Sequence, residues 1–145
     1  MVIEVSQPKT KEDWDQYFLI RWETLRKPWN QPKGSELDSS DDTSIHRMIM
    51  VDEKIVGVGR IHLNSSNEAQ IRFMGVSDPY RKLNLGSKLL AELEKIAIQK
   101  NAKKVILHSR DYAIPFYESN DYLIVKKTYL LFDEIQHYLM EKILN

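Results

Sequence analysis

The chain has 145 residues, the size of one ordinary domain and too short for two with separate cores. Lys plus Arg number 21 and Asp plus Glu number 21, so the formal charge is zero and there is no global field to hold a nucleic acid or a lipid surface. There is no cysteine, which excludes disulfides, thiolate nucleophiles and cysteine-based metal sites, while a 42% apolar fraction suffices to fill one core.

The opening residues, MVIEVSQPKT, carry no basic leader, and no run of about 18 apolar residues occurs anywhere; a soluble cytoplasmic protein is expected, with neither membrane nor nucleic acid as partner. Val2, Ile3 and Val5 alternate with Glu4 and Ser6 as a short strand does. Trp14, Tyr17, Phe18, Trp22 and Leu25 recur at three- and four-residue steps and predict a helix, capped by Thr10 and ended by Pro28, with Arg21 among its polar positions. The segment from Pro28 to Thr43 has Pro, Gly, Ser and four acids (Glu36, Asp38, Asp41 and Asp42) without periodicity, and reads as a long loop.

Residues 45–51 and 54–63 flank Asp52 and Glu53 as a hairpin, and residues 69–76 add a third strand, which gives a meander. Leu85, Leu89, Leu90, Leu93, Ile96 and Ala97 mark an amphipathic helix over 85–100. Val105–Leu107 is a short apolar strand that would pair in parallel with the strand before that helix. Residues 113–119 suit one or two helical turns. The segments 122–131 and 138–143 read as closing strands, the last being equally compatible with a helix.

The stretch FMGVSDPYRKLNLGSKLL, residues 73–90, passes from a strand through a polar turn directly into a helix. A helix N-terminus offers unpaired N–H groups and a partial positive charge, and Arg81, Lys82 and Lys88 surround this one, so it is a candidate pyrophosphate site; an ordinary βα turn with solvated lysines is the plainer alternative. Gly57 and Gly59 lie inside a β-run with no helix behind them. They do not make a dinucleotide fingerprint and instead suggest a bulge or a close backbone approach.

The turn Arg81-Lys82-Leu83-Asn84-Leu85-Gly86 resembles the acetyl-CoA motif Q/R-x-x-G-x-G/A of the GNAT superfamily of N-acetyltransferases. Residues 113–122, Ala-Ile-Pro-Phe-Tyr-Glu-Ser-Asn-Asp-Tyr, resemble that family's second signature, A-x-x-(F/L)-Y-E-x-x-G-F, and both occur in the family's order. LRKPWNQPKGSELD and IQHYLMEK are further similar to a subgroup of small members whose acceptors are mostly undefined. Asn84 and Asp121 stand where the family has glycine, and Asn and Asp are the residues other than glycine best able to adopt positive φ. Arg110 stands where many members have an Asn that meets the pantetheine arm.

The resemblance implies an α/β fold with a mixed, mostly antiparallel sheet of about seven strands. The sheet would splay between the strand of residues 69–76 and that of 105–109, with acetyl-CoA as co-substrate in the splay. Backbone groups of Met74, Gly75 and Val76 would pair with the pantetheine amides, the N–H of Val76 facing the thioester oxygen. Arg81, Lys82, Leu83, Asn84, Leu85, Gly86 and Ser87 would supply N–H groups to the pyrophosphate, Arg110 would face the pantetheine, and Tyr117 would protonate the leaving thiolate.

The implied activity is acetyl transfer to a primary amine by direct attack; a module that keeps the fold and binds CoA or a protein partner without turnover is the alternative. An ammonium of pKa near ~10.4 must lose a proton before it attacks. Gln70 stands where some relatives carry a basic Glu, which leaves Glu68, on the same side by strand alternation, or a water relay. His62 and His108 are further candidates. His137 lies in the stretch shared with the subgroup and is expected at the acceptor. The acids of the long loop suit a solvated loop with one anchoring Trp; in the other reading they overhang the site and attract a cationic small-molecule or protein amine, with Trp29 covering its apolar part. No metal site is expected, and a monomer and a homodimer are both compatible with the sequence.

Overall fold

The computed structural model describes every residue from Met1 to Asn145. Its strands are β1 (Ile3–Ser6), β2 (Ile45–Val51), β3 (Lys54–Leu63), β4 (Glu68–Val76), β5 (Lys104–Arg110), β6 (Leu123–Leu131) and β7 (Ile135–Ile143); its helices are α1 (Lys11–Leu25), α2 (Leu85–Gln99) and α3 (Ile114–Glu118). All seven strands join one sheet in the order β1-β2-β3-β4-β5-β7-β6, and β4 with β5 is the parallel pair. No helix is long and apolar enough to cross a membrane.

Local chemistry accounts for the boundaries. Thr10 and Asp13 form a reciprocal capping box at the start of α1. The β2–β3 turn places Asp52 and Glu53 at φ of 49° and 70°, the pair of positive values that a two-residue hairpin matched to strand twist requires. The predicted stripe of α2 is the buried one: Leu85, Leu89, Leu90, Leu93, Ile96 and Ala97 all enter the core. Adjacent residues of β2, Met48 and Ile49, belong to separate apolar clusters, so the sheet is covered on both faces, by α1 on one side and α2 on the other.

One expectation is corrected and two are sharpened. The buried face of α1 is Tyr17, Ile20, Arg21 and Thr24, turned from the aromatic stripe, and Arg21 is fully buried instead of solvated. Residues 138–143 are strand, within a β7 that starts at Ile135 and follows a tight turn with Phe132 and Asp133 at positive φ. The polar turn before α2 is wound, Asp78–Leu83 forming a 3₁₀ helix.

The feature that creates a site is a parting of strands. β4 and β5 pair only over Glu68–Gln70 with Lys104–Ile106. Beyond that, β4 stays with β3 as far as Val76 and β5 stays with β7 as far as Arg110. A bulge reinforces the separation: Arg72 opposes Arg60 and Gly75 opposes Val58, so Phe73 and Met74 together face the single residue Gly59, and Phe73 takes φ of 54°. Non-glycine residues rarely hold such a φ inside a strand, and strain of this kind collects at functional sites.

Candidate active site

Between the parted strands lies a cleft of about 540 Å³, floored by Phe73, Met74 and Gly75 of β4 and walled by β5, β7, α3 and the end of α1. On the β5 side the backbone of β4 beyond Gln70 has no strand partner, so an open row of N–H and C=O groups faces the cleft. Gly75 is required by its surroundings, because a Cβ there would overlap the Thr24 hydroxyl of α1.

At its outer end the cleft meets the N-terminus of α2. Asn84 adopts φ 61° and ψ 24°, the left-handed conformation anticipated for it, and Asp121 does the same at φ 72°. No side chain caps α2, and the N–H groups of Leu85, Gly86 and Ser87 find no backbone partner, so the helix ends in free donors. A Cβ on Gly86 would lie 3.1 Å from the Phe116 ring of α3, tighter than ordinary contact, so a larger residue would push into the space between α2 and α3. Asn120 Nδ2 donates to Ser87 Oγ at 3.2 Å and to the Phe116 carbonyl at 2.9 Å, which ties the second motif to the first.

Of the predicted turn, Arg81, Asn84, Gly86 and Ser87 line the cleft, whereas Lys82 and Leu83 lie outside it and the Leu85 side chain is buried in the core. Arg81 is tied back, its Nε donating to the Val76 carbonyl at 2.9 Å and its Nη1 to Asp78 at 2.6 Å.

Tyr117 lines the cleft at 9% exposure, and its hydroxyl has no hydrogen-bond partner in the protein, which leaves it free for a ligand. Burial pushes its pKa up to about 12, partly offset by the nearby Arg110, so the phenol keeps its proton at any physiological pH. His137 and His108 line the same cleft, and burial, ahead of all other causes, lowers the pKa of each, so both rings are neutral near pH 7. His137 Nδ1 lies 3.0 Å from the Ile135 carbonyl, and since a carbonyl only accepts, Nδ1 carries the proton and Nε2 the lone pair. The ring stacks on Tyr129 at 4.4 Å, which fixes its orientation.

Several candidates fall elsewhere. Glu68 lies at the opposite end of β4, where β4 and β5 are still hydrogen-bonded and no cleft exists, and it accepts from Asn64 and pairs with Lys104. His62 is outside the cleft as well, with Nε2 3.0 Å from Asn64. Trp29 is not part of the cleft wall; it stacks on Tyr112 at 6.0 Å and lines an adjoining hollow shared with Lys27, Asp78 and Arg81.

Of the four acids in the long loop only Asp42 is exposed and unpaired, as a solvated loop requires; the other three fit neither reading. Asp41 holds Arg21 at 3.1 Å and Arg60 at 2.9 Å, and Asp38 holds Arg60 at 2.9 Å and Arg72 at 3.3 Å, so these acids are consumed by arginines. Glu36 is itself buried and accepts from the Gly34 N–H at 2.7 Å. Phe73, Arg26 and Tyr112 also line the cleft, and no sequence motif marks them. Their local signals are faint: one aromatic in a strand, one arginine just past the end of a helix, and one tyrosine in the turn between β5 and α3.

The acetyltransferase (GNAT) family model matches residues 14–122. The chain belongs to that family. It is similar to the uncharacterized N-acetyltransferase YjcF of Bacillus subtilis strain 168, at 28% identity over 92% of this chain and 95% of that protein. Its fold matches Escherichia coli ElaA with a TM-score of 0.82 at 19% identity, covering 97% of this chain and 99% of that one. It likewise matches an aminoglycoside 6'-N-acetyltransferase complexed with coenzyme A, with a TM-score of 0.81 at 15% identity over 99% and 97%. The last two are likenesses of fold.

Proposed function

We propose that the chain transfers an acetyl group from acetyl-CoA to a primary amine, the amine attacking directly while both substrates are bound. The observation that carries this reading is the continuity of the cleft: the open edge of β4 at Met74–Val76 runs into the uncapped start of α2, with the unpartnered Tyr117 hydroxyl in the same space. Family membership and a coenzyme A complex of a fold neighbour support it. Acetyl-CoA supplies the thioester carbonyl that an amine attacks and the thiolate that leaves.

The chain's own groups then have separable tasks. Free N–H donors of Leu85, Gly86 and Ser87 suit the pyrophosphate, and the glycine at 86 keeps them approachable. The backbone of Met74–Val76 offers strand-like pairing to an extended amide arm and an N–H for the carbonyl oxygen as charge develops there. Tyr117, with its proton firmly held, donates a hydrogen bond to the departing sulfur. His137 replaces Glu68 as the group that takes up the amine proton, because it is neutral, carries its lone pair on Nε2 and lines the cleft. With no cysteine in the chain, nothing points to an acyl-enzyme.

The test is thiol release from acetyl-CoA over a panel of amines, with wild-type protein and Tyr117→Phe. An enzyme loses turnover in the variant while still binding acetyl-CoA; a binding module has no turnover to lose.

A further inference from the structure

The cleft is lined by cations and by no carboxylate. Arg26, Arg72, Arg81 and Arg110 contribute to its wall with His108 and His137, and no Asp or Glu does. Arg26 and Arg110 belong to none of the protein's ion pairs. Arg26 donates from Nε to the Ser35 carbonyl and from Nη1 to the Leu25 carbonyl, both at 3.1 Å, and its Nη2 has no protein partner. Arg110 donates from Nη2 to that same Leu25 carbonyl at 2.9 Å and from Nη1 to the Tyr112 hydroxyl at 3.0 Å. One carbonyl at the C-terminal end of α1 thus holds two guanidiniums side by side.

Like charges so placed repel unless something offsets them, and the helix end supplies only about half a negative charge. Burial, then the charges of Arg110, Arg21 and Arg72, lower the pKa of Arg26, with Glu36 the one opposing influence. Arg72 does not relieve this. It shares Asp38 with Arg60 and stands, like Arg26, against the Phe73 ring, with guanidinium carbons 4.8 and 5.6 Å from its centre. Asp133 and Glu134, on the neighbouring turn, are exposed and pair with no arginine.

We propose that the acceptor is a small primary amine that carries its own oxyanion, a carboxylate or a phosphate, held by Arg26 and Arg72 beside Phe73. This rests on the acetyltransferase reading and names the substrate class for the same site. Phe73 directly precedes Met74–Val76, and one to three strand residues span about 3–10 Å, so the oxyanion and the attacking nitrogen are separated by only a few bonds. A planar guanidinium with a free edge is suited to two-point recognition of such a group. The same field disfavours the ammonium form, which yields the nucleophilic free amine close to the neutral His137. It also repels a polyamine or a lysine-rich peptide, whose charges find no carboxylate here.

The experiment measures thiol release from acetyl-CoA with matched acceptors: L-amino acids against their amides, phosphoethanolamine against ethanolamine, an amino-sugar phosphate against the free amino sugar, and spermidine. The expected result is a kcat/KM at least 10-fold higher for the oxyanion member of the favoured pair, the pair itself telling carboxylate from phosphate. For that acceptor, Arg26→Gln raises KM by about 10- to 100-fold, the value of a lost charged hydrogen bond, and leaves the KM of acetyl-CoA and the unfolding temperature in place. Preference for spermidine or the neutral partners overturns the proposal, as does an Arg26→Gln effect that falls on acetyl-CoA instead. Stabilisation by acetyl-CoA without turnover of any oxyanion amine also overturns it and leaves the cofactor site standing; no stabilisation at millimolar acetyl-CoA sinks the acetyltransferase reading itself.

Discussion

Arginines occur in two settings a few residues apart, one sealed and one open. Arg21 and Arg60 are wholly buried, lie 4.3 and 5.1 Å from the centre of the Phe73 ring, and are matched by Asp41 and Asp38 from the long loop. Arg26 and Arg110 sit at the cleft wall with only carbonyls, a phenol and aromatic faces for company. The first setting is a latch: two carboxylates fix the loop over α1 and β3 and brace the bulge. The second is a surface built to be completed from outside. Loss of a latch residue should therefore cost stability, and loss of a cleft residue should cost chemistry.

The largest effect is expected at Asp41. Asp41→Ala strips a partner from both Arg21 and Arg60 at once and leaves buried charge uncompensated, which typically costs about 3–5 kcal/mol. Urea unfolding reads it; a loss under about 1 kcal/mol would mean that the rings around these guanidiniums suffice without the acids. Tyr117→Phe stands opposite: turnover should fall by about 10²-fold or more while unfolding and acetyl-CoA binding stay as they were, because its hydroxyl has no protein partner to forfeit. Gly86→Val should abolish the gain of about 2.7 kcal/mol that a ligand at a hundred times its dissociation constant confers.

A gentler probe of the latch is acid. Burial alone would raise the Asp38 pKa, but the hydrogen bond from Arg60, the Ser40 N–H and the charges of Arg60 and Arg72 outweigh it and hold the carboxyl at about 2. A carboxyl whose folded pKa lies below its unfolded value near ~3.9 adds stability above that value and loses it as the proton binds. Stability should therefore drop by about 2 kcal/mol as pH falls from about 4 to 2, and Asp38→Asn should flatten that part of the curve. An unchanged acid limb in the variant would place the titration elsewhere.

What the sequence disclosed follows from what is local. The stripe of α2, the meander and the left-handed Asn84 and Asp121 depend on periodicity and on the steric range of single residues, and these were legible. The latch was not, because an arginine in a helix reads as solvated until the loop that neutralises it is folded over it; Arg21 and Asp41 meet only through tertiary structure. Alternation correctly put Glu68 in phase with Gln70, yet phase says nothing about where along β4 the strands part, and Glu68 lies where they are still joined. The bulge that turns Phe73 to positive φ has neither Gly nor Pro at its own two positions; its trace in the sequence lies on the partner strand, where Gly59, read as a bulge or a close backbone approach, stands opposite it.

Thermal unfolding with and without saturating acetyl-CoA, on wild-type protein and Gly86→Val, tests the central claim most directly. The cleft described here requires a rise of several degrees in the wild type and none in the variant. An equal rise in both would put the cofactor somewhere other than the turn between β4 and α2, and no rise in either would contradict the site altogether.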